Sequence, residues 1–469
     1  MLFKKWGLKL KNIPGKQSVQ VKQTGHKILK MSKVLLLGAG MVAKPIAEYI
    51  LNNNIQLTIA SRTVSKAEKL IGTHANGKAI SWTMEDLTTL EKLVSENDLV
   101  ISLLPYTHHV TVAKLCIKHK KNMVTTSYVS PEMKALDAEA KAAGIIILNE
   151  IGVDPGFDHM TAMRIIDKVK SEGGKIKEFY SICGALAAPE EIDNPFKYKF
   201  SWSPKGVLMA GNNSAKYLEN GEIVEIPSKK LFRNPLKIEF PEVGLMEVYP
   251  NRDSLAYIDI YNIPEVETMY RGTFRYPNWC EIMDAIKTLG LISVERQKFE
   301  GKTYKEVVAE KMDVYPKNVK EKAAGRLKLD LHSPAINALE WLGYFSNEKV
   351  NVTESSTFDI TVDLMLKKMM LPEGARDMVI MQHSFLIENA NGQKEAIKSR
   401  LLDFATKDNT SIARTVALPA AIAVKLILNG EIAEKGVQIP ISKTIYEPVL
   451  SELEKMGIAM VEQWGLKEE

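Results

Sequence analysis

Three cysteines in 469 residues, Cys116, Cys183 and Cys280, are too few, too scattered and odd in number for a disulfide framework or a zinc site. A reducing compartment is the natural setting, and no metal is expected. Uninterrupted apolar runs of bilayer length are also missing; the longest apolar stretches have the length of buried strands, so no membrane partner is expected. Acid is absent from residues 1–30, which carry eight of the 62 basic residues. Without that leader, 54 basic residues face 57 acidic ones, so the formal +5 becomes a slight acid excess and nucleic acid is not an expected partner. The leader has no arginine and little serine, which mitochondrial transit peptides favour. Met31-Ser32-Lys33 reads as a natural start, so 1–30 is expected to be an upstream start or a short disordered tail of a cytoplasmic protein, or a transit peptide if the protein is mitochondrial. Repeats and low-complexity segments are lacking too. At 45% hydrophobic, the chain can instead build two or three packed domains.

Val34 to Leu37 is a short apolar run ending in glycines, Val42 to Leu51 has helical spacing, and Leu57 to Ala60 returns to strand character. Further buried-strand candidates, Leu99 to Leu104, Asn122 to Thr125 and Ile145 to Leu148, alternate with helical segments at His108 to Lys118 and Pro131 to Ala143. This alternation predicts an α/β fold with a doubly wound parallel sheet of Rossmann type. Beyond Asp154-Pro155-Gly156 the texture changes: strand-like pieces such as Phe179 to Cys183 and Ser254 to Tyr261 mix with loops rich in Pro, Asn and Trp. Residues 278–349 read as a helical insertion, with helices at Trp279 to Leu289, Thr303 to Lys311 and Pro334 to Leu342. Met378 to Glu388 and Ala396 to Asp403 read as strands of the second domain, and Val416 to Leu428 as a helix closed by Asn429-Gly430 that packs back on the first. The expected division is 31–153 plus about 412–469 for the first domain and 154–277 plus about 350–411 for an α/β second domain.

The turn Gly38-Ala39-Gly40-Met41-Val42-Ala43 follows a strand and opens a helix, the context in which a glycine pattern binds a dinucleotide. Gly38 permits the tight turn, Gly40 lets a pyrophosphate approach the backbone at the positive helix end, and Ala43 takes the close-packing position. Some twenty residues on, where an NAD enzyme places a carboxylate for the ribose hydroxyls, stands Ser61-Arg62-Thr63. A guanidinium with two hydroxyls suits a 2′-phosphate, so the sequence points to NADP. Otherwise Arg62 is an ordinary solvated residue at a helix start.

The remaining motifs resemble the glutamate-forming saccharopine dehydrogenases of lysine metabolism over nearly everything after Met31. They are Ile101 to Thr107, Val124 to Pro131, Asn149 to Gly156, Asn194 to Ser203, Tyr249 to Ser254 and Arg271 to Tyr276. The resemblance implies a Rossmann domain completed by the C-terminal segment, a substrate domain that also forms a homodimer, and an inserted helical domain. It implies NADP held at Ala39, Gly40, Met41, Val42, Ser61, Arg62, Thr63, Leu103, Thr125, Thr126, Gly152, Val153, Asp154, Pro155 and Trp202. Saccharopine is implied at Ser127, Tyr128, Asp154, Arg252, Thr273, Phe274 and Arg275. Two departures are the leader and the lack of the lysine-ketoglutarate reductase half of fused degradative enzymes.

Residue chemistry agrees with that implication. Saccharopine carries three carboxylates, and Arg252 and Arg275 offer planar forks for them, although a lone arginine more often ends in an exposed ion pair. Asp154 can accept from a substrate ammonium or cap the helix starting near Phe157, and Tyr128 can donate to substrate or pack at a rim. For proton transfer the candidates are Asp154, Tyr128 and Cys183, with the substrate's own amine and water as the alternative. His108-His109 are expected to start a helix without touching substrate. Two other functions stay open: a carboxyspermidine-type dehydrogenase, and an NADPH sensor without turnover.

Overall fold

An unbroken apolar run, unlike an alternating one, suits a strand covered by helices on both faces. The computed structural model, which describes residues 31–468, puts Val34 to Leu37 in such a strand, Lys33–Leu37, with all four side chains fully buried. The basic leader 1–30 lies outside the described residues. Lys33–Leu37 is central in a seven-stranded sheet ordered Gly436–Gln438, Ile146–Leu148, Asn122–Val124, Leu99–Ser102, Lys33–Leu37, Gln56–Ser61, Gly77–Ser81. Every pairing is parallel. The chain first winds outward through Gln56–Ser61 to Gly77–Ser81, then returns to the other side of Lys33–Leu37 at Leu99–Ser102. That reversal opens a crevice at the carboxyl ends of the two adjacent strands, where sheets of this kind bind ligands. The doubly wound sheet expected from the sequence is present.

The C-terminal segment completes this lobe. Its helix Ser411–Asn429 packs on Ala43–Asn52, and Gly436–Gln438 adds the edge strand. Ser411–Asn429 has the length and apolar composition to cross a bilayer, but most of it is buried inside the protein.

A second, mixed sheet runs Leu236–Phe240, Gly244–Pro250, Thr268–Arg275, Lys175–Ala187, Asp377–Glu388, Lys394–Phe404, Val461–Leu466, with the hairpin Ala215–Glu219 and Glu222–Ile226 attached to Thr268–Arg275. Thr268–Arg275 and Lys175–Ala187 are parallel, and the other pairings are antiparallel. The helix Phe157–Ser171 leads from the first sheet into the second and packs on Lys175–Ala187 and Asp377–Glu388. Helices Trp279–Thr288, Tyr304–Lys311, Val319–Leu327 and Pro334–Leu342 form the expected helical region; Thr303 and Glu306 close a capping box at the start of the second.

Three expectations change. Ser254 to Tyr261, read as a strand, contains the helix Ala256–Ile260, because Tyr257 and Tyr261 fall four apart on one buried face. The helical region does not stop at 349: Thr357–Met369 packs on Pro334–Leu342, and its Phe358, Ile360 and Met365 share a core with Trp279 and Ile282. Residues up to 469 do not all return to the first lobe, since Val461–Leu466 pairs with Lys394–Phe404 in the second sheet.

Candidate active site

The glycine turn sits at the reversal of the first sheet. Gly38 has φ +106 and would push a Cβ to 3.3 Å from the Leu103 carbonyl, so glycine is required and Leu103 is its neighbour across the crevice. Leu103 N donates to Leu37 O at 2.9 Å and Gly38 N to Ala60 O at 2.9 Å. The second bond sets the turn beside Ser61-Arg62-Thr63. A Cβ on Gly40 would meet nothing within 4 Å, which leaves the open approach a pyrophosphate needs. Val42, the residue before the helix Ala43–Asn52, makes no side-chain cap; Ala43 N already donates to Gly40 O at 3.1 Å and Pro45 has no N–H, so an anion at this helix start is left with the N–H groups around them. Ala43 is fully buried in the close-packing position, and Met41 is half exposed.

Ser61 Oγ accepts from Thr63 N at 3.3 Å, while Arg62 is exposed and enters no salt bridge among the described residues. Across the crevice, Thr125 N donates to Leu148 O and Glu150 N to Ser127 O, tying the loop 125–130 to the turn 149–156. Gly152 lies between the Pro155 carbonyl and Thr126, where a Cβ on it would come to 3.2 Å of Thr126 Cβ. Trp202 packs against both main cores with its Nε1 buried and without a protein acceptor. These residues fit a bound NADP: open backbone at Gly40, an unpaired cation at Arg62 and an orphaned indole donor.

On the other side of the turn 149–156 lies a buried polar cluster. Tyr128 OH donates to Asp154 Oδ1 at 3.1 Å. Arg271, on Thr268–Arg275, donates through NH2 to Asp154 Oδ1 at 2.6 Å and Asp158 Oδ2 at 3.0 Å, and through NH1 to Tyr257 OH at 2.6 Å. Asp154 Oδ2 has no protein partner among the described residues, and the side chain keeps 16% exposure, so that oxygen is the one open to a ligand. Arg252 stands over the Tyr128 ring, 5.0 Å from its centroid, on a left-handed backbone (φ +55). Its loop is tied down by Lys216 N to Arg252 O and Asn251 N to Arg271 O, both 2.8 Å.

Burial pushes the Asp154 carboxyl up, against the pull of Arg271, which brings it toward proton exchange. The Tyr128 phenol and the Cys183 thiol are both driven well up by burial and then by Asp154. Both therefore stay protonated, and of the three acid-base candidates only Asp154 is moved toward neutrality. Cys183 pairs with Thr273 across adjacent strands and lies within electrostatic reach of Asp154, Arg271 and Arg275.

Arg275 is 3% exposed in a cage of Tyr198, Tyr249 and Trp279, 5.2, 5.7 and 5.2 Å from its guanidinium. NH1 donates to the Phe274 carbonyl, Nε has no partner, and no carboxylate pairs with it among the described residues. Phe274 itself is fully buried edge-on to Phe240, so its ring belongs to the core and only its backbone is left for a ligand.

One role read from the sequence is corrected. Asp154 does not cap the helix Phe157–Ser171: Gly156 holds the cap position, and its N–H donates to Asp158 Oδ1 at 2.6 Å. His109 begins its helix as expected and is buried there, with Nδ1 2.9 Å from Ser102 Oγ and Nε2 2.8 Å from Ser127 Oγ. Burial lowers its pKa to about 4, so the ring is neutral. Nothing in the sequence assigns Arg271, Asp158, Glu150, His159 or Tyr257 to the site beyond their place inside or beside the motifs Asn149 to Gly156, Tyr249 to Ser254 and Arg271 to Tyr276.

Comparison with known proteins agrees with this geometry. The saccharopine dehydrogenase NADP binding domain matches residues 34–148, and the saccharopine dehydrogenase C-terminal domain matches 152–458. The chain is 42% identical over 449 residues to saccharopine dehydrogenase [NADP(+), L-glutamate-forming] of Schizosaccharomyces pombe, covering 92% of this chain and 99% of that one. It is 39% identical to the mitochondrial alpha-aminoadipic semialdehyde synthase of Rattus norvegicus, of which it spans 48%. The solved apo saccharopine dehydrogenase (L-Glu forming) of Saccharomyces cerevisiae superposes with a TM-score of 0.84 at 38% identity, covering 92% of this chain and 99% of that one. The chain belongs to the saccharopine dehydrogenase family.

Proposed function

We propose that this protein is an NADP-dependent oxidoreductase that interconverts saccharopine, NADP and water with L-glutamate, 2-aminoadipate 6-semialdehyde and NADPH, a step of lysine metabolism. The observation that carries the substrate assignment is Arg275, a buried guanidinium without a carboxylate. An unpaired buried charge is costly, and a tricarboxylate substrate supplies its missing partner. Arg252 is the second fork, and the free Asp154 Oδ2 accepts from a substrate amine.

Gly38 to Val42, Leu103, Thr125, Thr126 and Gly152 to Pro155 would hold the dinucleotide, with Ser61, Arg62 and Thr63 on its 2′-phosphate and Trp202 donating its orphaned N–H. When bound, NADPH supplies the hydride that reduces the imine carbon. Ser127 and Tyr128 line the substrate side, where the Tyr128 phenol stays a donor, and Thr273 and the Phe274 backbone complete it. Asp154 holds the amine, and its raised carboxyl exchanges the proton as amine and aldehyde join and water leaves. Cys183, kept as a thiol, donates and does not act as a base.

The protein is proposed to work in the cytoplasm as a homodimer. The open face of the second sheet, around a cavity of about 520 Å³ whose lining mixes Tyr180, Leu236 and Ile238 with charged residues such as Glu178, Lys237 and Glu239, is the surface proposed for a second copy. Light scattering measures that directly. Activity is tested by adding saccharopine to purified protein with NADP and following NADPH absorbance. Saccharopine-dependent reduction is expected; activity with polyamine donors alone, or no turnover at high enzyme concentration, overturns the assignment.

A further inference from the structure

Glu150 is buried and left-handed (φ +56), an expensive place for a carboxylate unless its contacts require it. Its Oε1 accepts from Val129 N at 2.9 Å, and its Oε2 accepts from His159 Nε2 at 2.8 Å. His159 is fully buried on the helix Phe157–Ser171, with Nδ1 2.7 Å from Tyr261 OH. Followed around, the contacts close into a ring. Tyr128 and Arg271 meet on Asp154, Arg271 also holds Asp158, the next residue His159 holds Glu150, and Glu150 holds Val129, next to Tyr128. Three short segments and one strand are thereby fixed relative to the open oxygen of Asp154.

We infer that Glu150 and His159 are positioning residues for substrate: joined by their hydrogen bond, they hold the Val129 backbone, and so the Tyr128 phenol, in register with Asp154. Neither needs to touch substrate. The inference rests on the reading above that Tyr128 and Asp154 contact the substrate's amine.

Charge explains why a histidine stands there. Burial opposes the imidazolium, but Asp158 and Glu150 outweigh it and raise His159 above the ordinary histidine value, with Arg271 acting against them. The other groups facing it are the Tyr257 ring, stacked at 5.6 Å, the Tyr261 hydroxyl, Asp154, and His383 on Asp377–Glu388, whose pKa burial lowers to about 3. With a raised value, the His159 charge is present on the acid side and lost as pH climbs through it. Glu150, Asp154 and Asp158 then face Arg271 without the imidazolium, and the hold of His159 on Glu150 weakens.

The test is steady-state kinetics of the full chain with saccharopine and NADP across pH, comparing wild type with Glu150→Gln, His159→Gln, Tyr128→Phe and Asp154→Asn. Glu150→Gln and His159→Gln are expected to raise the KM for saccharopine about tenfold, the scale of a lost charge-assisted hydrogen bond, with the KM for NADP unchanged. Wild type is expected to show an alkaline fall of kcat/KM, which moves or disappears in His159→Gln. If Tyr128→Phe and Asp154→Asn leave the KM for saccharopine unchanged, the site reading itself falls. If those two raise it while Glu150→Gln and His159→Gln do not, only the positioning inference falls. Lower thermal stability of His159→Gln with the wild-type pH profile intact also overturns it, since a merely structural pair would behave that way. Should the variants not fold, imidazole NMR of wild type gives the His159 titration, and saccharopine affinity must weaken across the same pH range; an affinity flat through it overturns the inference.

Discussion

Arg62 is exposed at the end of Gln56–Ser61 and pairs with no carboxylate among the described residues, so its loss should leave the fold intact and act on cofactor choice. Arg62→Ala is expected to lower kcat/KM for NADPH roughly ten- to a hundredfold while leaving NADH unchanged, because only the 2′-phosphate distinguishes the two. Both cofactors assayed side by side check it; an equal loss with each would remove Arg62 from the phosphate site. Residues of this kind are legible in a sequence because their meaning is local: Gly38 and Arg62 sit at fixed distances after two strands. Arg252 and Arg275 came through their motifs. Arg271 opens the same motif as Arg275, but its role is not legible there, because its carboxylate partners Asp154 and Asp158 lie 117 and 113 residues away and no local pattern announces that pairing. The bonds of His109 to Ser102 and Ser127 are hidden for the same reason, since they arise only through tertiary packing.

The turn 152–158 is the element on which both halves of the site hang. Gly152 N donates to Pro155 O at 2.9 Å, Phe157 N to Gly152 O at 2.8 Å and Asp158 N to Val153 O at 3.0 Å. Gly156, at φ +142, is in a region closed to side chains, and a Cβ there would lie 2.3 Å from both Gly152 N and Gly152 O. Since those atoms are backbone, nothing flexible can yield. Gly156→Ala should cost roughly 3 kcal/mol or more, measured by urea denaturation, and should weaken NADP and saccharopine together. Loss of only one ligand would show that the two sides of the turn are independent. Elements with continuous apolar runs or clean helical spacing were readable from sequence, as with Lys33–Leu37 and Trp279–Thr288. Ala256–Ile260 was not, because Tyr257, Ile258, Ile260 and Tyr261 also fit a strand, and it takes the tertiary contacts of the buried Tyr257 and Tyr261, with Arg271 and His159, to decide for the helix.

For the whole molecule, the path of the chain after residue 410 binds the two sheets into one folding unit. Ser411–Asn429 covers Ala43–Asn52 beside the glycine turn, Gly436–Gln438 closes the first sheet, Lys443–Lys455 packs on Phe157–Ser171, and Val461–Leu466 extends the second sheet. The start of this segment is clamped from the second sheet, where Asp377 accepts from Ser411 N and Ile412 N at 2.6 and 3.1 Å, and Asp403 accepts from Ser411 Oγ at 2.6 Å. Ile422, Val424, Ile445, Val449, Leu450 and Leu453 are all buried there. At about 1.5–3 kcal/mol for each large aliphatic side chain, their burial rivals the roughly 5–15 kcal/mol that keeps a domain folded. A chain ending at 410 keeps every residue proposed to touch NADP or saccharopine, yet it should lose cooperative thermal unfolding and NADPH binding together. Calorimetry with NADPH titration on that truncation measures both. Native-like unfolding with retained NADPH affinity would mean that the Rossmann half folds on its own and that the returning segment serves only the second sheet.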